Sequence, residues 1–364
     1  MDERLLAEKL IGYESSGDEG VRLCAGFVKG WLEAREIRTR QLEIRDLPIL
    51  IAEVGPEGGP TIVLHGHIDV VPGREGQFDP RVEGDRLIGR GAYDMKGAVA
   101  AMMLALNDLS DQRHVRVRLA IVPDEEAEEA DYRGTDMLVD SGLAGDFAIT
   151  GEPTDMHVGV AAKGVLAVRL EVSGRAAHGS TPWEGDNAIV KAFDIFRQIE
   201  SLPFSRESSE LFDRPSINLG RILGGDALNK VPDTCVIDVD IRYLPEQDQD
   251  EILTQIEALP DSRVVSTFTR PPVEVDRESE FVRSLCAAAG PHHEGEVTGI
   301  GRDGASDAIS FIRVGTPAVE FGPHGAGHHG PDEWVSLESL ANYRRALGDF
   351  ALRVPEGLTE EART

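Results

Sequence analysis

The stretch TIVLHGHID, residues 61 to 69, is the feature that most constrains what this chain can fold into. Thr61 to Leu64 is short, apolar and rich in β-branched residues, a pattern that predicts a buried strand. His67 and Asp69 follow directly after it. In an open α/β sheet, ligands bind beyond the carboxyl ends of the strands, so an H-x-D sequence at this position indicates a metal site.

Other candidate ligands also stand at the ends of predicted elements. They are Asp94 before a helix that begins near Lys96, Glu125 and Glu126 after a strand over 115–122, Glu152 after a strand over 147–150, and His328 or His329 after a strand over 316–321. Two histidines and three carboxylates suit two zinc-type ions that share an aspartate, with one glutamate left as a base. Such metals lower the pKa of a bridging water, the free carboxylate takes its proton, and the hydroxide attacks a carbonyl.

Most of these residues also have a structural interpretation that the residues alone leave open. Asp94 has the position and residue type of a helix N-cap. Glu125 and Glu126 open an acidic run, which is typical of a solvated face. The other carboxylates of that run are assigned to solvent: Asp124, Glu128 and Glu129. Glu152 precedes a proline, as in an ordinary turn.

The hydrophobic pattern changes at Gly164 and returns to its earlier form after about residue 272. The intervening elements are a strand GVLAVRLEVSG, a helix over 187–202, strands SINLGRILGG and TCVIDVDIRYL, a helix over 249–259, and a strand RVVSTFTR. This β-α-β-β-α-β order predicts a ferredoxin-like α+β sandwich, inserted at 163–272. The flanking segments, 1–162 and 273–364, predict one discontinuous α/β domain with a central, mostly parallel sheet.

Composition excludes several classes of function. The chain has 65 acidic and 37 basic residues, a formal net charge of −28, which argues against binding nucleic acid or an anionic membrane. The stretch MDERLLAEKL is acidic and amphipathic, so it is not expected to act as a secretory signal. Three cysteines without C-x-x-C spacing indicate reduced thiols, so a cytoplasmic protein is expected. The polar tail after Pro355 is expected to fray.

With these residues in place, the chain resembles the dinuclear zinc aminoacylase and deacylase family that contains acetylornithine deacetylase, succinyl-diaminopimelate desuccinylase and carboxypeptidase G. Five motifs carry the resemblance in the family's order and approximate spacing: GHIDVVP, GRGAYDMKG, DEE, GEPT and HGPDE. The resemblance covers nearly the whole chain. Its two-domain plan, a catalytic domain with an inserted lid or dimerisation domain, agrees with the predicted insertion.

The resemblance implies a ligand set for two divalent ions, zinc or cobalt. Asp94 would bridge the two ions. His67 and Glu152 would complete one site, and Glu126 and His329 the other. The second histidine is taken as His329 because the family histidine stands two residues before the proline of the PDE motif.

Supporting roles follow from the same resemblance. Glu125 would be the general base. Asp69 would orient His67 through the other ring nitrogen, as ligating histidines usually require. The peptide bond between Asp94 and Met95 is expected to be cis.

The inserted domain also contains family motifs. The stretch SGRAAHGSTP resembles a loop whose histidine, here His178, steadies the oxyanion, often in the active site of a partner subunit; this implies a homodimer through the inserted domain. The stretch LNKVPDTCVIDVDIR resembles the segment that holds the carboxylate of the substrate, with Asn229 and Arg242 in that role. A planar guanidinium can bind a carboxylate with two hydrogen bonds.

The resemblance therefore implies a hydrolase that cleaves the amide bond of a small N-acyl amino acid. Acetylornithine and succinyl-diaminopimelate are the first expectations, which would place the enzyme in arginine or lysine biosynthesis. The same site would also serve a metallo-carboxypeptidase or a dipeptidase. A non-catalytic metal- or ligand-binding protein on the same fold is a further alternative, against which the complete ligand set and the surplus Glu125 argue.

Overall fold

The computed structural model describes residues 2–127 and 132–353. Three sequence-based expectations lie outside these residues: the solvent positions of Glu128 and Glu129, and the fraying of the tail after Pro355.

The helices and strands of the described residues follow in chain order. The helices are α1 (Glu3–Ile11), α2 (Asp18–Glu33), α3 (Gly97–Asp108), α4 (Gly134–Asp140), α5 (Ala188–Ile199), α6 (Gln249–Glu257), α7 (Glu280–Ala289), α8 (Ala308–Arg313) and α9 (Leu337–Arg353). The strands are β1 (Thr39–Ile44), β2 (Leu47–Val54), β3 (Thr61–His67), β4 (Arg81–Glu83), β5 (Arg86–Ile88), β6 (Arg116–Val122), β7 (Phe147–Thr150), β8 (Val158–Ala162), β9 (Gly164–Ser173), β10 (Ser216–Gly224), β11 (Thr234–Tyr243), β12 (Ser262–Arg270), β13 (Val273–Glu274), β14 (Gly299–Arg302), β15 (Ala318–Glu320), β16 (Gly325–Ala326) and β17 (Trp334–Ser336). Among the helices of residues 2–127 and 132–353, none combines the length and the apolar character that crossing a membrane requires.

The chain divides into two compact units. The discontinuous unit comprises Met1–Val160, Val275–Ile300 and Asp307–Thr364, and the inserted unit comprises Ala161–Glu274 and Gly301–Ser306. The short second segment joins the inserted unit because the Lys163 amide donates to the carbonyl of Arg302 at 3.1 Å and the Lys163 ammonium lies 2.7 Å from Asp303. The lid and dimerisation roles expected for the inserted part remain predictions.

The discontinuous unit is built on a sheet with the strand order β1-β2-β6-β3-β7-β15-β8. Its four central strands, β6, β3, β7 and β15, run parallel, and the outer pairings are antiparallel. Every residue of β3 is buried, as expected for a parallel strand covered on both faces. The predicted fold class, α/β with a central mostly parallel sheet, is confirmed.

The inserted unit is a four-stranded antiparallel sheet with two helices. Its strand order is β10-β11-β9-β12, the order of a ferredoxin-like sandwich, as the sequence pattern predicts. Alternate residues of β11 are buried, from Cys235 to Tyr243. They share one core with the buried faces of α5 and α6, to which Ile195 and Ile252 belong.

We predict that Ile237→Ala destabilises the inserted unit by about 2–5 kcal/mol, because Ile237 is fully buried at the centre of this core and its removal leaves a cavity. The loss in the free energy of unfolding is measured by urea denaturation, with hydrogen exchange of the amides in the sandwich strands as the probe. Val265→Ala is the control, since Val265 is 46% exposed on β12 and its loss should change stability by no more than about 0.5 kcal/mol. Equal effects of the two substitutions would contradict this description of the core.

Candidate metal centre

Three neighbouring parallel strands present candidate ligands at one edge of the sheet. His67 is the last residue of β3, which lies between β6 and β7. His67 pairs in register with Val122 at the end of β6, after which the chain continues to Glu125 and Glu126. Glu152 follows two residues after the end of β7. The structure therefore brings these four side chains to the same carboxyl edge.

Asp94 reaches this edge from a turn in front of α3. The turn, Ala92–Lys96, has non-helical backbone angles at Asp94 and Met95, and the bond between these two residues is cis, as the resemblance implies. Asp94 is buried, and the N-cap of α3 is Lys96, so Asp94 is not the N-cap of this helix.

Two glycines make room for the side chain of Met95, the residue after Asp94. A Cβ atom on Gly66 would lie 2.6 Å from the methyl group of Met95, and one on Gly151 would lie 2.7 Å from the same atom. Real Cβ atoms do not approach other atoms so closely. Because this methyl group is the flexible end of the Met95 side chain, a Cβ atom at either position would require Met95 to shift. The glycine between the two histidines of β3 and the glycine before Glu152 therefore make room for the side chain that follows Asp94.

One oxygen of Asp94 faces His67. The His67 Nε2 atom lies 3.0 Å from Asp94 Oδ1 and 3.5 Å from Glu152 Oε1. The His67 Nδ1–H group donates to the backbone carbonyl of Asp69 at 3.0 Å. Because a carbonyl oxygen can only accept, this bond fixes the proton of the neutral ring on Nδ1 and leaves the Nε2 lone pair for a metal.

The other oxygen of Asp94 faces two histidines from the loop between β16 and β17. His328 Nε2 lies 2.5 Å and His329 Nε2 lies 3.2 Å from Asp94 Oδ2. His329 Nε2 also lies 2.9 Å from Glu126 Oε1. The two expected ligands of the second site, Glu126 and His329, thus lie against each other, and His328 lies beside them.

Asp69 links the end of β3 to the loop after β6. Its carboxylate accepts hydrogen bonds from the backbone amides of Glu125, at 3.2 Å, and Glu126, at 2.8 Å. Its Oδ1 atom lies 3.4 Å from Nδ1 of His67, so the closer contact to that ring is made by the Asp69 carbonyl. Asp69 therefore positions the glutamate pair as well as the histidine.

Glu125 contacts an arginine whose side chain is 14% exposed. Arg133 Nη1 donates to Glu125 Oε1 at 3.0 Å and lies 3.8 Å from Asp307. Burial, together with the carboxylate of Asp307, raises the pKa of Glu125 well above its ordinary value, although Arg133 opposes this shift. Glu125 is therefore held by Arg133 directly beside the candidate ligand Glu126.

The pKa values of Glu152 and of two histidines are all raised at this centre. Burial and the neighbouring Asp94 raise the pKa of Glu152 to about 7. Contacts with Asp94 and Glu126 raise the pKa of His329 to about 10. For His67, burial lowers the pKa, but its carboxylate neighbours outweigh burial and raise it well above the ordinary value. The shifts of the two histidines, and in part that of Glu152, reflect negative charge that a bound cation would neutralise.

The donor set fits divalent metal ions. Within the described residues, two groups of side chains place their ligating atoms within 4.8 Å of one another: His67, Asp94 and Glu152, and Asp94, His328 and His329. Asp94 belongs to both groups. Imidazole nitrogens and carboxylate oxygens are the ligands of zinc sites in which a coordination position stays open.

The assignment of Asp124 to solvent is wrong. Asp124 is 3% exposed, and its two oxygens accept from the amide of Gly134 at 2.9 and 3.0 Å. Gly134 is the first residue of α4, where a carboxylate is favoured by the helix dipole. Arg45 pairs with the same carboxylate. The acidic run therefore turns inward at this position.

The candidates of the inserted unit lie in two places within it. His178 forms an isolated β-bridge with Lys230, and the Gly179 amide donates to the carbonyl of Asn229 at 2.7 Å, so His178 and Asn229 are on adjoining segments. Arg242 lies on β11, where its Nε atom donates to Asp240 at 3.1 Å. Their roles toward a substrate remain predictions.

Sequence reasoning did not single out the charged residues behind the ligands. They are Arg90, Arg133 and Glu333. Glu333 stands in the HGPDE motif, which is the one signal that could have identified it.

Comparison with known proteins agrees with this site. The model of peptidase family M20/M25/M40 matches residues 63–353. The chain belongs to this family. The succinyl-diaminopimelate desuccinylase of Caulobacter sp. is 30% identical over 376 residues, which cover 95% of each chain. Family membership confirms the resemblance, and the chain is a metal-dependent hydrolase of amide bonds.

Solved structures share the fold. The aminopeptidase PepT from Bacillus cereus matches with a TM-score of 0.78 at 19% identity, over 97% of each chain. The M20 family metallo-carboxypeptidase Sso-CP2 from Sulfolobus solfataricus matches with a TM-score of 0.77 at 18% identity, over 96% of this chain and 99% of that chain. At these identities the likeness concerns the fold.

A neutral histidine lies behind the ligands. His65 Nε2 lies 3.0 Å from the hydroxyl of Thr135, which itself donates to Asp307 at 2.5 Å. The hydroxyl proton is thus engaged, so the histidine donates from Nε2. Its Nδ1 atom has no hydrogen-bond partner among the described residues. Burial lowers the pKa of His65 to about 4.

We predict that His65 makes the metal-free protein less stable in acid. Between pH 6.5 and 4 the unfolded chain takes up a proton at this residue and the folded chain does not, so stability falls by up to about 3 kcal/mol as pH drops through this range. Urea denaturation at pH 7 and pH 4.5 should show a smaller pH dependence for His65→Gln than for the wild type. His114→Gln, at an exposed position, is the control and should behave as the wild type.

Proposed function

We propose that this protein removes the acyl group from an N-acyl amino acid at a centre for two divalent metal ions. The proposed ligands are His67, Asp94, Glu126, Glu152 and His329. The observation that carries the proposal is the arrangement of Asp94, whose Oδ1 faces His67 while its Oδ2 faces His329. A carboxylate with each oxygen turned to a different histidine is suited to bridging two ions.

Two bound ions of the zinc type, or cobalt, would lower the pKa of a water molecule and polarise the carbonyl of the scissile amide. The chain itself supplies the proton transfers. Glu125 takes a proton from the attacking water and then delivers it to the leaving amine, so that the acyl group leaves as a carboxylate and the amino acid as a free amine. The raised pKa of Glu125 supports this assignment, and its bond to Arg133 orients the carboxylate.

Asp69 supports the same reaction by positioning. Its carboxylate binds the amides of both Glu125 and Glu126, and its carbonyl fixes the ring of His67. A substitution of the Asp69 side chain would therefore move the base together with the proposed ligand Glu126, whereas the backbone carbonyl that contacts His67 would remain.

The proposal extends to the inserted unit on the strength of the family resemblance. His178 would steady the oxyanion, and Asn229 and Arg242 would bind the carboxylate of the substrate. A homodimer through the inserted unit belongs to the same proposal. Turnover by a protein that light scattering shows to be monomeric would contradict the dimer, and would require His178 to act within its own chain.

Succinyl-diaminopimelate is the first substrate to test, because curated relatives over nearly the full chain are named for its hydrolysis. This assignment would place the protein in lysine biosynthesis. Acetylornithine is the second N-acyl amino acid, and dipeptides represent the carboxypeptidase and dipeptidase alternatives.

We predict that purified protein loaded with zinc hydrolyses succinyl-diaminopimelate with a higher kcat/KM than it shows for acetylornithine or for simple dipeptides. Chelation of the metal should abolish the activity, and added zinc should restore it. Faster cleavage of dipeptides would favour a peptidase instead. Hydrolysis that persists in the fully chelated protein would reject the metal centre, and the absence of turnover with every substrate would favour a binding protein.

We predict that Glu125→Gln lowers kcat about 100-fold or more while both metal ions remain bound, because the amide cannot accept the proton. Steady-state kinetics and elemental analysis of the same preparation measure the two properties. Glu75→Gln, at an exposed position, is the matched control and should keep wild-type turnover. Unchanged kcat in Glu125→Gln would remove this residue from the proton transfers.

A further inference from the structure

Glu333 is a buried carboxylate with an unusual number of donors. It is 1% exposed and accepts hydrogen bonds from the Arg90 guanidinium at 2.7 Å and from the backbone amides of Gly91, Tyr93 and Asp94 at 3.0, 3.0 and 3.1 Å. Two of the four donors, the amides of Tyr93 and Asp94, belong to the turn that carries Asp94, and the Gly91 amide lies directly before it. The side chain of Glu333 therefore holds the backbone of the proposed bridging ligand directly.

Arg90 connects Glu333 to the loop between β16 and β17, which carries His329. Arg90 is 3% exposed, and while its Nη1 atom binds Glu333, its Nη2 atom donates to the carbonyl of His329 at 3.0 Å. His329 has a φ of 57°, a left-handed conformation that is uncommon for a residue other than glycine. A buried donor on its carbonyl oxygen helps to hold this conformation.

We propose that the buried Arg90–Glu333 pair is a positioning device that fixes the separation of Asp94 and His329, and so sets the affinity of the metal site that they share. The inference rests on the proposed metal centre. One end of the pair binds the amide of Asp94 and the other binds the carbonyl of His329. Neither residue is a proposed ligand, and each acts through the backbone of one.

The expected effect of the Arg90–Glu333 pair is on metal affinity. Groups that orient metal ligands typically change metal affinity 10–100-fold when they are altered. Removing the charge of Glu333 would leave Arg90 and three backbone amides facing a weaker or repulsive partner. The turn would then relax, and Asp94 would no longer be held at a fixed position relative to His329.

A merely structural ion pair would have a different signature. It would stabilise the folded protein with or without metal, and its loss would leave the zinc affinity of the folded protein unchanged. A positioning pair lowers zinc affinity in protein that is still folded. The comparison needs a control pair that stabilises the same unit without touching a proposed ligand.

Glu53 provides this control. It joins β2 to β6 through Arg116, at 2.8 Å, and Arg118, at 2.6 Å, and none of these residues contacts a proposed ligand. Glu333→Gln and Glu53→Gln each replace a carboxylate bound to arginine by an amide of the same shape. The two variants therefore differ in whether the lost carboxylate supports the metal centre.

The test is a zinc titration of folded wild type and both variants, with a chromophoric chelator as competitor, alongside the thermal midpoint of each metal-free protein. We expect Glu333→Gln to raise the zinc Kd about tenfold or more, while Glu53→Gln leaves it unchanged. Unchanged affinity in Glu333→Gln, or an equal loss in both variants, would overturn the inference. Wild-type protein that binds no zinc would reject the metal centre itself, before the variants are compared.

Arg90→Lys gives a second, independent readout and carries the test if Glu333→Gln does not fold. A lysine keeps the positive charge beside Glu333, but a single ammonium group does not reproduce the two-ended contact of the guanidinium. We expect a raised zinc Kd in folded Arg90→Lys protein. Wild-type affinity in this variant would contradict a role for the contact with His329.

Discussion

The structure depends on the gathering of several carboxylates at one largely buried site. Asp94, Glu125 and Glu152 lie within one centre, and burying an ionised carboxylate beside others is unfavourable unless positive charge accompanies it. Histidines provide part of that charge, since hydrogen bonds from His328, His329 and His67 hold the pKa of Asp94 well below its ordinary value, although burial alone would raise it. Divalent cations would neutralise the centre more completely and would compete with protons for the same imidazole nitrogens.

The fold meets this requirement by two routes. Three parallel strands bring His67, the pair Glu125 and Glu126, and Glu152 to one edge, which is the usual place for ligands in an open α/β sheet. Hydrogen bonds from backbone amides to buried carboxylates then fix the two segments that the strands do not position. Asp69 holds the loop after β6, and Glu333 holds the turn before α3. Carboxylates thus have two roles. Some are proposed ligands, whereas Asp69 and Glu333 accept the hydrogen bonds that position the segments bearing those ligands.

The metal centre does not identify the substrate. Curated relatives are named succinyl-diaminopimelate desuccinylases, whereas structures of the same fold include an aminopeptidase and a metallo-carboxypeptidase. One fold can support different substrates because the residues that bind the substrate lie apart from the residues that carry out the hydrolysis. Here the proposed substrate ligands, Asn229 and Arg242, lie in the inserted unit, outside the unit that holds the proposed metal ligands.

The sequence by itself determined the local features: the buried strand before His67, the alternating strands of the sandwich, and the polar residues that end each parallel strand. Periodicity reports burial, and strand ends in a parallel sheet share an edge, so the gathering of these residues followed from the pattern. The strand β1, TRQLEI, was not predicted because it is mostly polar and is defined by its pairing with β2.

Only the tertiary structure decided which charges lie inside and what they bind. The inward turn of Asp124 depends on Arg45 and on the start of α4, and the contacts of Glu333 reach residues about 240 positions away. A sequence displays the residue type of each partner but not the long-range contact that joins them. The burial of a single charge is therefore fixed when distant segments meet, and local pattern does not reveal it.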